Sequence, residues 1–151
     1  MKRRVAYLLA TWFGCGYVPL APGTAGTLGA IPLYLVLRPH GVLVVLAAAG
    51  LLTVVGVWAA SEVCVATAKP DPQIVVIDEV VGVLVTLAAS SPTWTSLAAG
   101  VVLFRIFDQW KPWPARSLES LHGGMGVVMD DVAAGAYGAA VLGLARIAGL
   151  P

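Results

Sequence analysis

Between Gly41 and Ser61 the chain runs for 21 residues without a charged side chain. A helix needs about 20 consecutive apolar residues to cross a bilayer, so this run is long enough to span one. The rest of the composition points the same way. Hydrophobic residues make up 59% of the chain and charged ones 11%, against roughly 45–50% and ~25% in soluble domains. A membrane protein is therefore the leading class. With 151 residues and a net charge of +1, the chain has room for one domain over residues 1–151. It lacks the basic stripe of a nucleic-acid binder.

Against this apolar background the acids are concentrated in short segments at the ends of apolar runs. Five of the eight occur in Ile77-Asp78-Glu79-Val80-Val81-Gly82, in Phe104-Arg105-Ile106-Phe107-Asp108-Gln109-Trp110-Lys111-Pro112 and in Gly123-Gly124-Met125-Gly126-Val127-Val128-Met129-Asp130-Asp131. Carboxylates beside long apolar stretches are costly to keep, which favours function as their reason. They suggest a cation site facing an anionic substrate.

The breaks in the chain predict an all-α fold: a small bundle of helical hairpins with several membrane-embedded helices. Thr27 to Leu37 and Gly41 to Ser61 read as one hairpin about the turn Arg38-Pro39-His40-Gly41. Val80 to Ala89 and Trp94 to Phe107 read as a second about Ser90-Ser91-Pro92-Thr93, with arms short for a full crossing. Val132 to Leu150 is a last apolar stretch whose Arg146 can snorkel. If the hairpins turn at the distal side, then Thr24, Glu62, Asp78, Glu79, Asp108, Lys111, Asp130 and Asp131 gather at the proximal end. Lys2, Arg3 and Arg4 join them, and Arg38, His40 and Arg146 lie opposite. The positive-inside tendency then gives a polar cap facing the cytoplasm.

Asp78, Glu79, Asp108, Asp130 and Asp131 form a pool of oxygen ligands for a hard cation such as Mg²⁺, which commonly uses one or two carboxylates, waters and a substrate phosphate. The plainer reading makes Asp78 and Asp130 helix N-caps and pairs the rest with Arg105, Lys111 or Arg116. Arg105 and Asp108 share a helix face, as do Asp108 and Lys111 if the helix lasts that far. Pro112 favours its ending near Trp110 or Lys111. Arg105 and Lys111 suit a phosphate. Trp110 and Trp113 beside Lys111 and Arg116 equally suit a membrane-interface belt. Gly23, Thr24, Gly26 and Thr27 precede an apolar helix, where backbone N–H groups and hydroxyls can receive an anion.

Other chemistries are excluded by inspection. Neither Cys15 nor Cys64 has the downstream arginine of a cysteine phosphatase, and both read as small buried hydrophobes. His40 and His122 lack triad neighbours, and no Gly-x-Ser-x-Gly elbow occurs.

The order Pro-Gly-Thr-x-Gly, Ile-Val-x-Ile-Asp-Glu-x-x-Gly, Phe-Arg-x-x-Asp-x-Trp-Lys-Pro-Trp-Pro and Gly-Gly-x-Gly-x-x-x-Asp-Asp-x-x-Ala-Gly resembles the phosphatidylglycerophosphatase A family, from about Phe13 to Ala140. The resemblance implies a bacterial inner-membrane, Mg²⁺-dependent phosphatase that converts phosphatidylglycerophosphate to phosphatidylglycerol and phosphate. Its partners would be that anionic phospholipid and the bilayer, with no nucleic acid and with room for an oligomer. Catalysis would fall to Asp78, Glu79, Asp108, Arg105 and Lys111. Either water attacks phosphorus directly or an aspartate attacks first. A small ion or proton transporter, or a non-catalytic membrane scaffold, would also carry acids or an aromatic belt in an apolar bundle. A transporter should place acids or broken helices at mid-membrane, whereas these acids are expected at one end; a scaffold needs no multi-motif cluster of acids with Arg105 and Lys111.

Overall fold

The structure, a computed structural model, describes residues 1–149, and all regular structure among them is helical. The long apolar run becomes α4, Val42–Thr67, of 26 residues, about 39 Å at 1.5 Å per residue. It starts after Gly41, whose φ of 101° suits glycine, and stops at Ala68 in the left-handed region. Lys69-Pro70-Asp71-Pro72 cannot continue it. One side of α4, with Ala49, Ala59, Ala60 and Val63, is buried, whereas Leu43, Leu51, Val54 and Val65 point outward. An apolar outer surface of this kind fits lipid better than water.

Before α4 lie α1 (Lys2–Ala10), α2 (Pro22–Gly29) and α3 (Ile31–Leu37). The expected continuous helix from Thr27 to Leu37 is thus two helices meeting at Ala30, with Pro32 in the first turn of α3, where its missing N–H costs nothing. Arg38–His40 makes the predicted turn. The second hairpin is α5 (Ile77–Leu87) and α6 (Trp94–Trp110). Thr93 caps α6 by accepting the Ser96 N–H at 3.1 Å. A short α7 (Ala115–Leu118) leads to α8 (Gly124–Ile147). The last apolar stretch therefore begins at Gly124 rather than Val132, and Leu150 lies outside the described residues. Among the described residues two helices, α4 and α8, are long and apolar enough to cross a membrane. At 11 residues α5 is too short to do so.

The closest pair in the bundle is α5 with α8. They run in the same direction, because a Cβ on Gly135 would lie 2.4 Å from the Gly82 carbonyl and one on Gly138 would lie 2.7 Å from the Thr86 hydroxyl. The Thr86 hydroxyl donates across the contact to the Gly135 carbonyl at 3.1 Å, and within its own helix to that of Gly82 at 3.2 Å. One turn earlier along the same seam, Asp78 meets Asp131. The approach of Asp78 to Asp131 is therefore fixed by a glycine contact. Gly135→Ala is expected to push the helices apart, costing about 1–3 kcal/mol as overpacking does and lowering activity with it. Thermal unfolding beside an activity assay checks this; unchanged values in both would refute the seam as the positioning element.

Candidate active site

A cavity of about 1060 Å³ opens where the first turns of α2 and α5, the C-terminal end of α6 and the first two turns of α8 converge. Seven of the chain's eight acids line it: Asp71, Asp78, Glu79, Asp108, Glu119, Asp130 and Asp131. Arg105 and Lys111 are the lysine and arginine side chains among the lining residues. Arg38 and Arg146 line a separate cavity with Tyr34 and Ser90, at the other end of the bundle. The predicted division of charge is present for these residues; Glu62, Lys2, Arg3 and Arg4 do not line the acidic cavity, and His40 does not line the other.

At the centre, Asp78, Glu79 and Asp131 each bring a carboxylate oxygen within 4.8 Å of the other two. Asp78 and Glu79 occupy the first turn of α5, where the helix dipole favours negative charge. Burial, then the neighbouring Glu79 and Asp131, hold the Asp78 carboxyl well above the usual carboxylate range. Burial, with Asp108 nearby, raises Glu79 as well, against the opposing pull of a hydrogen bond to Asp78 and of Arg105. Asp78 Oδ1, Glu79 Oε2, Asp130 Oδ1 and Asp131 Oδ2 are buried without a hydrogen-bond partner among the described residues. Orphaned buried carboxylate oxygens are costly, and a hard divalent cation is the partner this donor set suits.

The N-cap reading of Asp78 and Asp130 does not hold. The caps are Val76 and Gly123, and Asp130 and Asp131 are the seventh and eighth residues of α8. Gly123 turns with φ 64°, and the Gly124 N–H donates to the Ser61 hydroxyl at 3.0 Å. That contact with α4 starts α8 two turns ahead of the aspartates. The acids are thus recessed into the helix and not set at its tip.

Arg105 and Asp108 form the expected i, i+3 pair, Nη1 to Oδ2 at 2.7 Å, and Arg105 also approaches Glu79 Oε1 at 3.6 Å. Lys111 does not join Asp108 on one helix face. It leaves α6 in the left-handed region with φ 45°, a cost for a non-glycine residue, because Pro112 excludes helix at the preceding position. Its ammonium instead reaches Asp130 Oδ2 at 2.6 Å and Glu119 Oε1 at 2.5 Å. Burial alone would lower the Lys111 pKa, but the hydrogen bonds to these two carboxylates outweigh it and the net shift is upward. Glu119 and Asp71 reach the cavity through tertiary packing; no local spacing in the sequence marks them.

Gly23 and Thr24 line the cavity at the start of α2. A Cβ on Gly23 would lie 2.1 Å from Glu79 Oε1, so glycine is what lets α2 come close to the carboxylates. Gly26 and Thr27 are not brought to the cavity. Gly26 packs on Val76, and the buried Thr27 hydroxyl donates to the Gly23 carbonyl at 2.9 Å. Of the cysteines, Cys64 is buried and Cys15 half-buried; both are free.

A family model described as Phosphatidylglycerophosphatase A matches residues 8–146. The chain is 40% identical over 145 residues to phosphatidylglycerophosphatase A of Escherichia coli strain K12, covering 90% of this chain and 80% of that protein. It is 43% identical over 148 residues to a Bacteroides thetaiotaomicron protein provisionally named a phosphatidylinositol-3-phosphatase, covering 92% of each. Against phosphatidylglycerophosphatase A of Haemophilus influenzae it is 37% identical over 139 residues, covering 90% and 85% respectively. No solved structure matches significantly.

Proposed function

The chain belongs to the phosphatidylglycerophosphatase A family, and we propose that residues 1–151 act as one phosphatase domain hydrolysing phosphatidylglycerophosphate to phosphatidylglycerol and phosphate. One observation carries this reading: seven carboxylates and two cations face one cavity, with three carboxylate oxygens within 4.8 Å of one another. An anionic phosphate would be repelled from so acidic a site unless a cation joined it. The donors are all hard oxygens, which suits Mg²⁺. Asp78, Glu79 and Asp131 would hold it, with Asp108 and Asp130 beside them. When bound, the cation offsets the carboxylates and stabilises charge on the phosphoryl oxygens.

The chain's own groups do the rest. Arg105, oriented by its ion pair with Asp108, offers a guanidinium fork to the non-bridging oxygens. Gly23 and Thr24 present the start of α2, where free N–H groups favour an anion. Lys111, held by Asp130 and Glu119, puts a second positive charge at the rim. The bond between phosphorus and the glycerol oxygen breaks, and water supplies the new oxygen on phosphate. Positioning and electrostatics supply most of the acceleration in phosphoryl transfer.

The relatives' names support one substrate class. Phosphatidylglycerophosphate and phosphatidylinositol 3-phosphate both carry a terminal phosphomonoester and, closer to the acyl chains, a phosphodiester. We assign the present chain to lipids of that class. Its apolar α4 and α8 would hold it in the bacterial inner membrane, and Lys2, Arg3 and Arg4 favour a cavity facing the cytoplasm. Phosphate release by detergent-purified protein tests the function. Release from phosphatidylglycerophosphate with Mg²⁺, abolished by a chelator and restored by Mg²⁺, is the expected result. No release under any condition would leave the transporter or scaffold reading, and full release in chelator would remove the metal.

A further inference from the structure

Beside the acidic cavity lies a second pocket, of about 520 Å³, lined by Trp110, Lys111, Pro112, Trp113, Arg116 and Ser117. Lys111 lines both spaces, so they adjoin. Their electrostatics are opposite. Seven acids line the first and none the second. The Lys111 ammonium is already committed to Asp130 and Glu119, whereas Arg116 has no carboxylate partner among the described residues. The frame around Arg116 is held in place. The Tyr137 hydroxyl donates to the Trp113 carbonyl at 2.8 Å, and Ala115 is fully buried. The Phe107 ring packs on both Trp110 and Tyr137, with centroids 6.4 and 5.5 Å away. The indoles point outward beside the exposed Arg116, Trp110 70% and Trp113 81% exposed.

We propose that this pocket is a phosphodiester subsite, in which Arg116 binds the inner phosphate of the lipid while the terminal phosphomonoester lies in the acidic cavity. The proposal rests on the lipid phosphatase reading above and adds how that site selects its lipid. A lipid carrying both esters has two anionic groups separated by a short polyol. The terminal one needs a cation among carboxylates; the inner one needs a fixed cation without carboxylates. The two adjoining spaces offer these in that order. Arg116 supplies a planar fork for the diester's two free oxygens, and the exposed indoles suit the level at which acyl chains meet the headgroup. Phosphatidic acid, which has a phosphomonoester but no diester, would leave Arg116 unused. The pocket therefore discriminates between lipid phosphates.

The test compares kcat/KM for phosphatidylglycerophosphate and phosphatidic acid in mixed micelles, for wild type, Arg116→Ala and Arg116→Lys. Losing one charge-assisted contact corresponds to about 10- to 100-fold. The preference of wild type for phosphatidylglycerophosphate should shrink by that factor in Arg116→Ala, chiefly through KM, and be partly kept in Arg116→Lys. Phosphatidylglycerol, which retains the diester, should inhibit wild type and lose potency against Arg116→Ala. Equal losses on both lipids, an unchanged ratio, or unchanged inhibition by phosphatidylglycerol would overturn the subsite and leave the phosphatase reading intact. No phosphate release from either lipid by the wild-type protein would overturn that reading and the subsite together. Arg116 is exposed, and a far-ultraviolet spectrum and melting curve like wild type would separate a selective loss from misfolding.

Discussion

Asp131→Asn is expected to abolish most turnover while leaving the fold intact. Asp131 is 3% exposed and shares its oxygen cluster with Asp78 and Glu79. Asparagine keeps the shape and removes one of the three charges that would hold a divalent cation. Losing a single transition-state contact commonly costs on the order of 10²–10³ in rate, and losing the cation should cost at least as much. The metal-free protein should be no less stable than wild type, because one of several mutually repelling buried carboxylates is gone. Wild type should gain melting temperature on adding Mg²⁺, as any protein does when a ligand binds only its folded form, and the variant should not. Phosphate release and melting curves, each with Mg²⁺ and with chelator, decide the matter. A variant with near-normal turnover, or one still stabilised by Mg²⁺ as wild type is, would take Asp131 out of the cation site.

Lys111→Ala should be damaging in a different way. Its ammonium is the hydrogen-bond partner of the buried Asp130, whose side chain is 4% exposed. Removing it strands a buried carboxylate, and breaking such a pair from one side costs about 3–5 kcal/mol. A membrane-interface anchor predicts the contrary, since a snorkelling lysine at the rim can be lost with little effect on folding. Stability and activity can be separated with a second substitution. Lys111→Ala with Asp130→Asn should recover much of the lost stability, because no unpaired charge remains, but not the phosphate engagement that needs the cation. Denaturant unfolding of the two single variants and the double variant gives the coupling directly. A stability loss that is simply additive would show that Lys111 and Asp130 do not depend on each other.

Much of the site could be read along the chain because its residues lie in four short segments whose local chemistry is unusual for so apolar a protein. Asp78 and Glu79 are adjacent and open a helix, so their common location needed no tertiary information. Arg105 and Asp108 are three apart, and helical periodicity alone places them together. Pro112 ended α6 where a proline must. The segment before the first hairpin was harder. Gly23-Thr24-Ala25-Gly26-Thr27 contains two glycines and two hydroxyls that look alike in sequence, yet Gly23 and Thr24 face the cavity while Gly26 and Thr27 face Val76 and the helix's own backbone. At 100° per residue, the rotation of α2 decides which pair faces in, and neighbouring helices set that rotation.

The sequence by itself determined that the chain is helical and strongly apolar, that its acids collect at one end, and which family it belongs to. These depend on composition, on breaks and on motifs that are contiguous in the chain. Only the tertiary structure decided that Asp130 and Asp131 sit two turns inside α8, that Lys111 pairs with Asp130 and Glu119 in preference to Asp108, and that Asp131 meets Asp78 and Glu79. Each of these depends on the register between helices distant in sequence. That register is set by the glycine contact of α5 with α8 and by the Ser61 hydroxyl at the start of α8. A carboxylate becomes a ligand only when its partners stand within a few ångströms, and only close helix packing fixes a separation that small.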